Sequence, residues 1–139
     1  MKYSALSFEK VKVHSTGQTY VGAKILIDDK SLLDMVTTIE KPYDKKIAGN
    51  YEFQSAEWLY KQLVGECVND EVDGVALLTC TCGYDGCWSF CVIVSEENDA
   101  VIWRDFHNGH REDWDYSALG EIYFEKTLYN IEIEKLKTF

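Results

Sequence analysis

Apolar side chains recur along this chain with two different periods, and the switches between them mark its elements. Leu6, Phe8, Val11 and Val13 alternate loosely within residues 3–13, and Val21, Ala23, Ile25 and Ile27 fall on every second position. Both patterns predict strands, and the polar run from His14 to Gln18 between them predicts a hairpin turn. Leu32, Leu33, Met35, Val36 and Ile39 then recur at helical spacing behind Ser31, which forms a capping box with Asp34. Lys41-Pro42 stops that helix, because a proline disfavours helical backbone in the residue before it. After a polar loop through Gly49, Ser55 is placed to cap a second helix carrying Trp58, Leu59 and Leu63 and ending near Gly65.

From Gly74 the period returns to two. Strands are predicted over residues 75–82, 87–95 and 100–106, with turns at 83–86 and 96–99. Trp88, Phe90, Val92 and Val94 share one face, which should meet the helices. A charged loop from His107 to Asp115, a short strand over 121–124 and a closing helix over 126–137 complete the chain. The sum is an α+β fold, an antiparallel β-meander with two or three helices packed on one face, in a single domain over residues 1–139.

Composition narrows the function classes. Hydrophobic residues make up 46% of the 139 and charged residues 27%, enough apolar surface for an ordinary core. Fourteen basic against 24 acidic residues leave a net charge of −10, and the densest basic stretch is only Lys41, Lys45 and Lys46 beside Asp44. Such a surface repels a phosphate backbone, which argues against nucleic acid and for a basic protein as partner, although acidity also serves plain solubility. No apolar stretch approaches the roughly 20 residues that span a bilayer, and the first ten residues hold no apolar signal-peptide core. A cytoplasmic setting is therefore expected. The odd cysteine count fits it, since five cysteines suit reduced thiols or metal ligands better than a disulfide framework.

Four of those cysteines cluster in Cys80-Thr81-Cys82-Gly83-Tyr84-Asp85-Gly86-Cys87 and at Cys91. With residues 83–86 as the loop, Cys82 would face Cys87 at roughly 5 Å, and Cys80 would share their side. Cys91 would lie roughly 13 Å further along the strand, outside the group. Counting across the next hairpin from Ser95 opposite Ala100 brings Cys87 level with Asn108, between His107 and His110. Three thiolates and one imidazole suit a structural, tetrahedral Zn²⁺. A Cys82–Cys87 disulfide, a reactive thiol and cysteines used as small buried packing residues are the alternatives.

These residues carry a resemblance. A strand into a Leu-rich helix (Ile25 to Ile39), a Cys-x-Cys-Gly-x-x-Gly-Cys-Trp hairpin (Cys80 to Trp88) and Trp-x-Asp-Phe followed by His-Arg and Trp-Asp-Tyr (Trp103 to Tyr116) recur here. The chain thereby resembles an uncharacterised family of small bacterial proteins, over roughly residues 20–135. The resemblance implies that Cys80, Cys82, Cys87 and His110 form one pattern, that His107 stands outside it, and no particular reaction. Within its third segment, Trp103, Asp105, Arg111, Trp114 and Tyr116 are the candidate binding residues, aromatic anchors inside a charged rim. Small, acidic, aromatic-rich domains of this kind neutralise basic toxins or nucleases, as bacterial immunity proteins do. The competing class is a small Cys/His-dependent or metal-dependent enzyme, in which a pair such as Cys87–His110 supplies nucleophile and base. No phosphate-binding glycine loop, nucleophile elbow or paired-carboxylate motif accompanies that pair, which favours the non-enzymatic reading.

Overall fold

The computed structural model describes residues 2–15, 17–82 and 84–139. Strands β1 (Leu6–Ser15) and β2 (Gln18–Ile27) form the expected hairpin, paired from Leu6 opposite Ile27 to Ser15 opposite Gln18. Part of its expected turn, Thr16, lies outside the described residues. A second tight turn follows at Asp28-Asp29, both with positive φ (53° and 64°), and returns the chain as β3 (Lys30–Ser31) beside the end of β2. Two consecutive left-handed residues match the twist of the strands they join, and aspartate is among the few side chains that accept this conformation.

Helix α1 (Leu32–Glu40) starts where the capping box places it, with Ser31 Oγ accepting from the Asp34 amide at 3.3 Å. Its buried residues are Leu32, Val36 and Glu40, spaced four apart on one stripe. After β4 (Glu52–Phe53), helix α2 (Ala56–Leu63) is capped by Ser55, and the chain leaves it through Gly65 at φ 74°. The meander is β5 (Val75–Thr79), β6 (Phe90–Glu97), β7 (Ala100–Asn108) and β8 (Ile122–Glu125), each antiparallel to the next. Helix α3 (Lys126–Lys135) closes the chain, its first amides held by the Glu125 carboxylate, and runs into a 3-10 turn at Leu136–Thr138.

The three-stranded and five-stranded sheets meet at two seams. Ser4 bridges to Phe124 within β8, and Gly22 bridges to Ser55 beside β4, where the Ala23 amide donates to the Gln54 carbonyl at 3.0 Å. A side chain on Gly22 would crowd Phe53 Cβ across the second seam at 3.3 Å and collide with Val13 on the neighbouring strand, so glycine is what permits the approach. Helices α2 and α3 pack on each other, α2 against β2 and β5 and α3 against β1, β7 and β8, and a single apolar cluster runs through all of them. Phe90 and Val92 are fully buried in that cluster, with Trp88 and Val94 packed at its margin.

Strand register departs from expectation at two places. The β6–β7 turn is the two-residue Asn98-Asp99 with Glu97 opposite Ala100, not a four-residue turn over 96–99. Asp105 takes φ 54° and bulges β7, which shifts the pairing again, so Asn108 lies opposite Phe90 and not opposite Cys87. On the other side, β5 ends at Thr79 and β6 starts at Phe90, with a further irregularity between Ala76 and Leu78. Cys82, Cys87 and Trp88, expected on strands, therefore belong to a loop.

Candidate thiolate site and acidic cleft

The loop between Thr79 and Phe90 is shaped by its one buried-side carboxylate. Asp85 Oδ1 accepts from Thr79 Oγ1 (2.6 Å) and Gln54 Nε2 (3.0 Å), and Oδ2 accepts from Asn69 Nδ2 (2.8 Å) and Trp58 Nε1 (2.9 Å). Those donors come from the end of β5, the entry to α2, α2 itself and the α2–β5 connection. A carboxylate with four donors is held in one orientation, and it draws the middle of the loop against the fold. Ser15, at the tip of the first hairpin, donates to the Thr81 carbonyl and fixes the loop from its other side. The Cys87 amide donates to the Tyr84 carbonyl at 3.1 Å, turning the chain back; Gly83, where the turn was expected to begin, lies outside the described residues.

The result is that the Sγ atoms of Cys80, Cys82 and Cys87 all lie within 4.8 Å of one another, a group that could hold a metal ion. Cys80 is buried, whereas Cys82 and Cys87 are exposed, and all five cysteines are free thiols. The trio converges as expected, but through a tethered loop and not through cross-strand pairing. Sharing of protons within it separates the thiols. A hydrogen bond from Cys80 holds the Cys82 thiol below its ordinary range, while hydrogen bonding to Cys80 and Cys82 raises Cys87 to about 11. Cys91 stands apart: it is buried beside Ser89 Oγ at 3.4 Å, and desolvation raises its pKa to about 11.

His110 approaches the loop without entering the sulfur group. Its Nε2 is 2.9 Å from the Gly86 carbonyl oxygen, its backbone amide donates to Asn108 Oδ1, and its ring lies at 7° to the Trp88 ring. A carbonyl only accepts, so Nε2 carries the proton. Arg111 places its guanidinium 4.8 Å from the Trp88 ring centre and 5.6 Å from that of Trp114, which in turn stacks on Tyr43 at 5.2 Å. His107 points Nδ1 at the Asp105 carbonyl (2.7 Å).

The remaining candidate binding residues divide by burial. Asp105 is exposed, and Arg111 and Trp114 are half-buried in the aromatic stack. Trp103 and Tyr116, expected as anchors, are core residues. Trp103 is fully buried and donates Nε1 to the Tyr129 hydroxyl at 3.1 Å. Tyr116 donates its hydroxyl to Glu40 at 2.6 Å. Trp103 packs on Phe124 and Tyr129, and Tyr116 on Phe90, so neither presents a face to a partner.

Two polar centres escaped the sequence reading. Glu40 is wholly buried and accepts from the Tyr51 hydroxyl (2.6 Å), the Tyr116 hydroxyl (2.6 Å) and the Gly49 amide (2.8 Å), while Asn108 Nδ2 supports Tyr51 at 2.8 Å. Its place four residues after Val36 and eight after Leu32, on the same stripe, was the available signal. The second centre is Asp85, whose donors are too scattered in sequence to announce themselves.

Beside the thiolate loop lies an open cleft of about 510 Å³ lined by Asp70, Glu71, Asp73, Asp85 and Glu112, with His107 and His110 and, among the described residues, no lysine or arginine. No helix among the described residues is long and apolar enough to cross a membrane. No family model, no curated protein and no solved structure matches the chain.

Proposed function

We propose that this chain is a non-enzymatic, cytoplasmic binding protein for a basic protein, of the immunity-protein type, whose thiolate loop is held by Zn²⁺. The observation that carries the reading is the cleft: five acidic residues line it, and among the described residues no lysine or arginine does. Within a chain of net charge −10, such a concavity concentrates negative potential and speeds encounter with a cationic surface. Loop 80–89 supplies one wall of it through Asp85, Gly86 and Ser89, so ordering that loop preserves the cleft's shape.

Charge also selects the ion. Three thiolates with a divalent cation retain one negative charge, whereas a monovalent cation such as Cu⁺ would leave two, a heavier burden in an already anionic protein. Zn–S bonds of about 2.3 Å in tetrahedral geometry put sulfurs about 3.8 Å apart. That lies inside the 4.8 Å limit observed for the trio. The competing enzymatic reading draws on the exposed Cys82, whose thiol a hydrogen bond from Cys80 holds below its ordinary range, but His110 bonds the Gly86 carbonyl and no thiol–imidazole hydrogen bond forms among the described residues.

Affinity capture from the native cell tests the reading. A basic protein should be retained at low salt, released as salt rises, and lost with Glu112→Lys or Asp73→Lys. Capture indifferent to salt and to both charge reversals, or a hydrolase activity abolished by Cys87→Ser, would overturn it.

A further inference from the structure

We infer that the zinc site is open, with three sulfur ligands from this chain and a fourth position filled by an imidazole from outside it. The inference rests on the zinc reading above and specifies its chemistry. Three observations converge. The group of mutually close ligand atoms is Cys80, Cys82 and Cys87, and among the described residues no histidine or carboxylate joins it. His110, the internal candidate, stays outside: its Nε2 proton goes to the Gly86 carbonyl at 2.9 Å, which leaves only Nδ1 able to ligate, and neither ring nitrogen lies among the three sulfurs, while the ring is held parallel to Trp88. Leaving that position would break the hydrogen bond and the stack together. Finally, Cys82 and Cys87 are exposed, so an ion on the trio has its free side toward solvent.

Zinc with three protein ligands keeps a position for an exchangeable group, water in the resting state. The class of that group follows from charge. A thiolate or carboxylate would add a second negative charge to a site that already carries one, inside a chain of net charge −10. A neutral imidazole adds none and is a good zinc ligand. A histidine on a cationic partner would therefore be drawn first by the acidic surface and then by the metal.

Co²⁺ replaces Zn²⁺ as a coloured probe of the same geometry, and free imidazole serves as the ligand. The full chain should bind one Co²⁺ with a sulfur-to-cobalt charge-transfer band, and imidazole should shift the visible ligand-field bands saturably without releasing the ion. His110→Ala should keep the stoichiometry and the shift. His110→Gln, which retains a donor for Gly86, covers the case in which the alanine variant unfolds. Cobalt bound but unresponsive to imidazole, or ligand-field bands altered by both His110 variants before imidazole is added, would overturn the open site while leaving the thiolate metal site standing. Failure of the wild-type chain to bind Co²⁺ at all would remove both.

Discussion

Asp85→Asn changes one oxygen into an NH₂ group at the point where the thiolate loop joins the core. The carboxylate accepts four hydrogen bonds, from Thr79, Gln54, Trp58 and Asn69. Trp58 Nε1 and Asn69 Nδ2 can only donate, so the new amide must turn its nitrogen toward the other pair. There the Thr79 hydroxyl can rotate to accept, but Gln54 Nε2 loses this acceptor and keeps only the Ala76 carbonyl. One bond is lost and the others fall from charge-assisted to neutral strength, roughly 1.5–3 to 0.5–1.5 kcal/mol each. Allowing for the half-exposed position of Asp85, the variant should be less stable by about 3 kcal/mol. For a chain of this length that lowers the melting temperature by roughly 10 °C. Urea unfolding followed by tryptophan fluorescence measures the loss, and native labelling of Cys82 and Cys87 should quicken as the loop loosens. A stability change under about 1 kcal/mol with unaltered labelling would show that Asp85 is a solvated loop residue and that the tether argument fails.

Glu40→Leu leaves two tyrosine hydroxyls and the Gly49 amide without their buried acceptor, so it should destabilise by about 3 kcal/mol even with its apolar gain. Glu40→Gln should cost less, and equal costs in thermal melts would contradict the network. Alkaline titration should weaken the fold: burial raises Tyr20 to about 12 and holds Tyr51, Tyr116 and Tyr129 above their ordinary value near 10. A folded-state pKa above the unfolded one contributes stability that is intact below pH 10 and lost as pH rises through the folded value, at about 1.4 kcal/mol per pH unit for each well-buried tyrosine. Denaturant midpoints measured from pH 9 to 12 should fall, and flat midpoints would refute the burial argument. Cys91→Ser should leave metal content unchanged, while Cys82→Ser should lower it, because only the latter sulfur belongs to the trio; elemental analysis of protein purified without added metal decides both.

Local chemistry was legible in the chain. The Ser31 and Ser55 caps, the α1 and α2 stripes, the two-residue alternation of the strands and the closing helix all follow from interactions within a few residues, which sequence spacing records directly. The membership of Cys80, Cys82 and Cys87 in one group was legible for a related reason, since a short loop keeps its sulfurs near one another whatever its register. Register itself was not. It depends on the two-residue turn at Asn98-Asp99 and on the left-handed Asp105, backbone choices that strand pairing imposes from outside the segment. Those shifts put Asn108 opposite Phe90 and left His110 against Gly86 beside the thiols. Burial of Trp103 and Tyr116 was likewise a tertiary decision, because an aromatic side chain can serve core or surface and only the packed neighbours choose. The acidic cleft and the Asp85 tether belong to the same class. Their residues come from α2, its following loop, β5, β6 and the β7 exit, and nothing short of the folded chain brings those segments to one place.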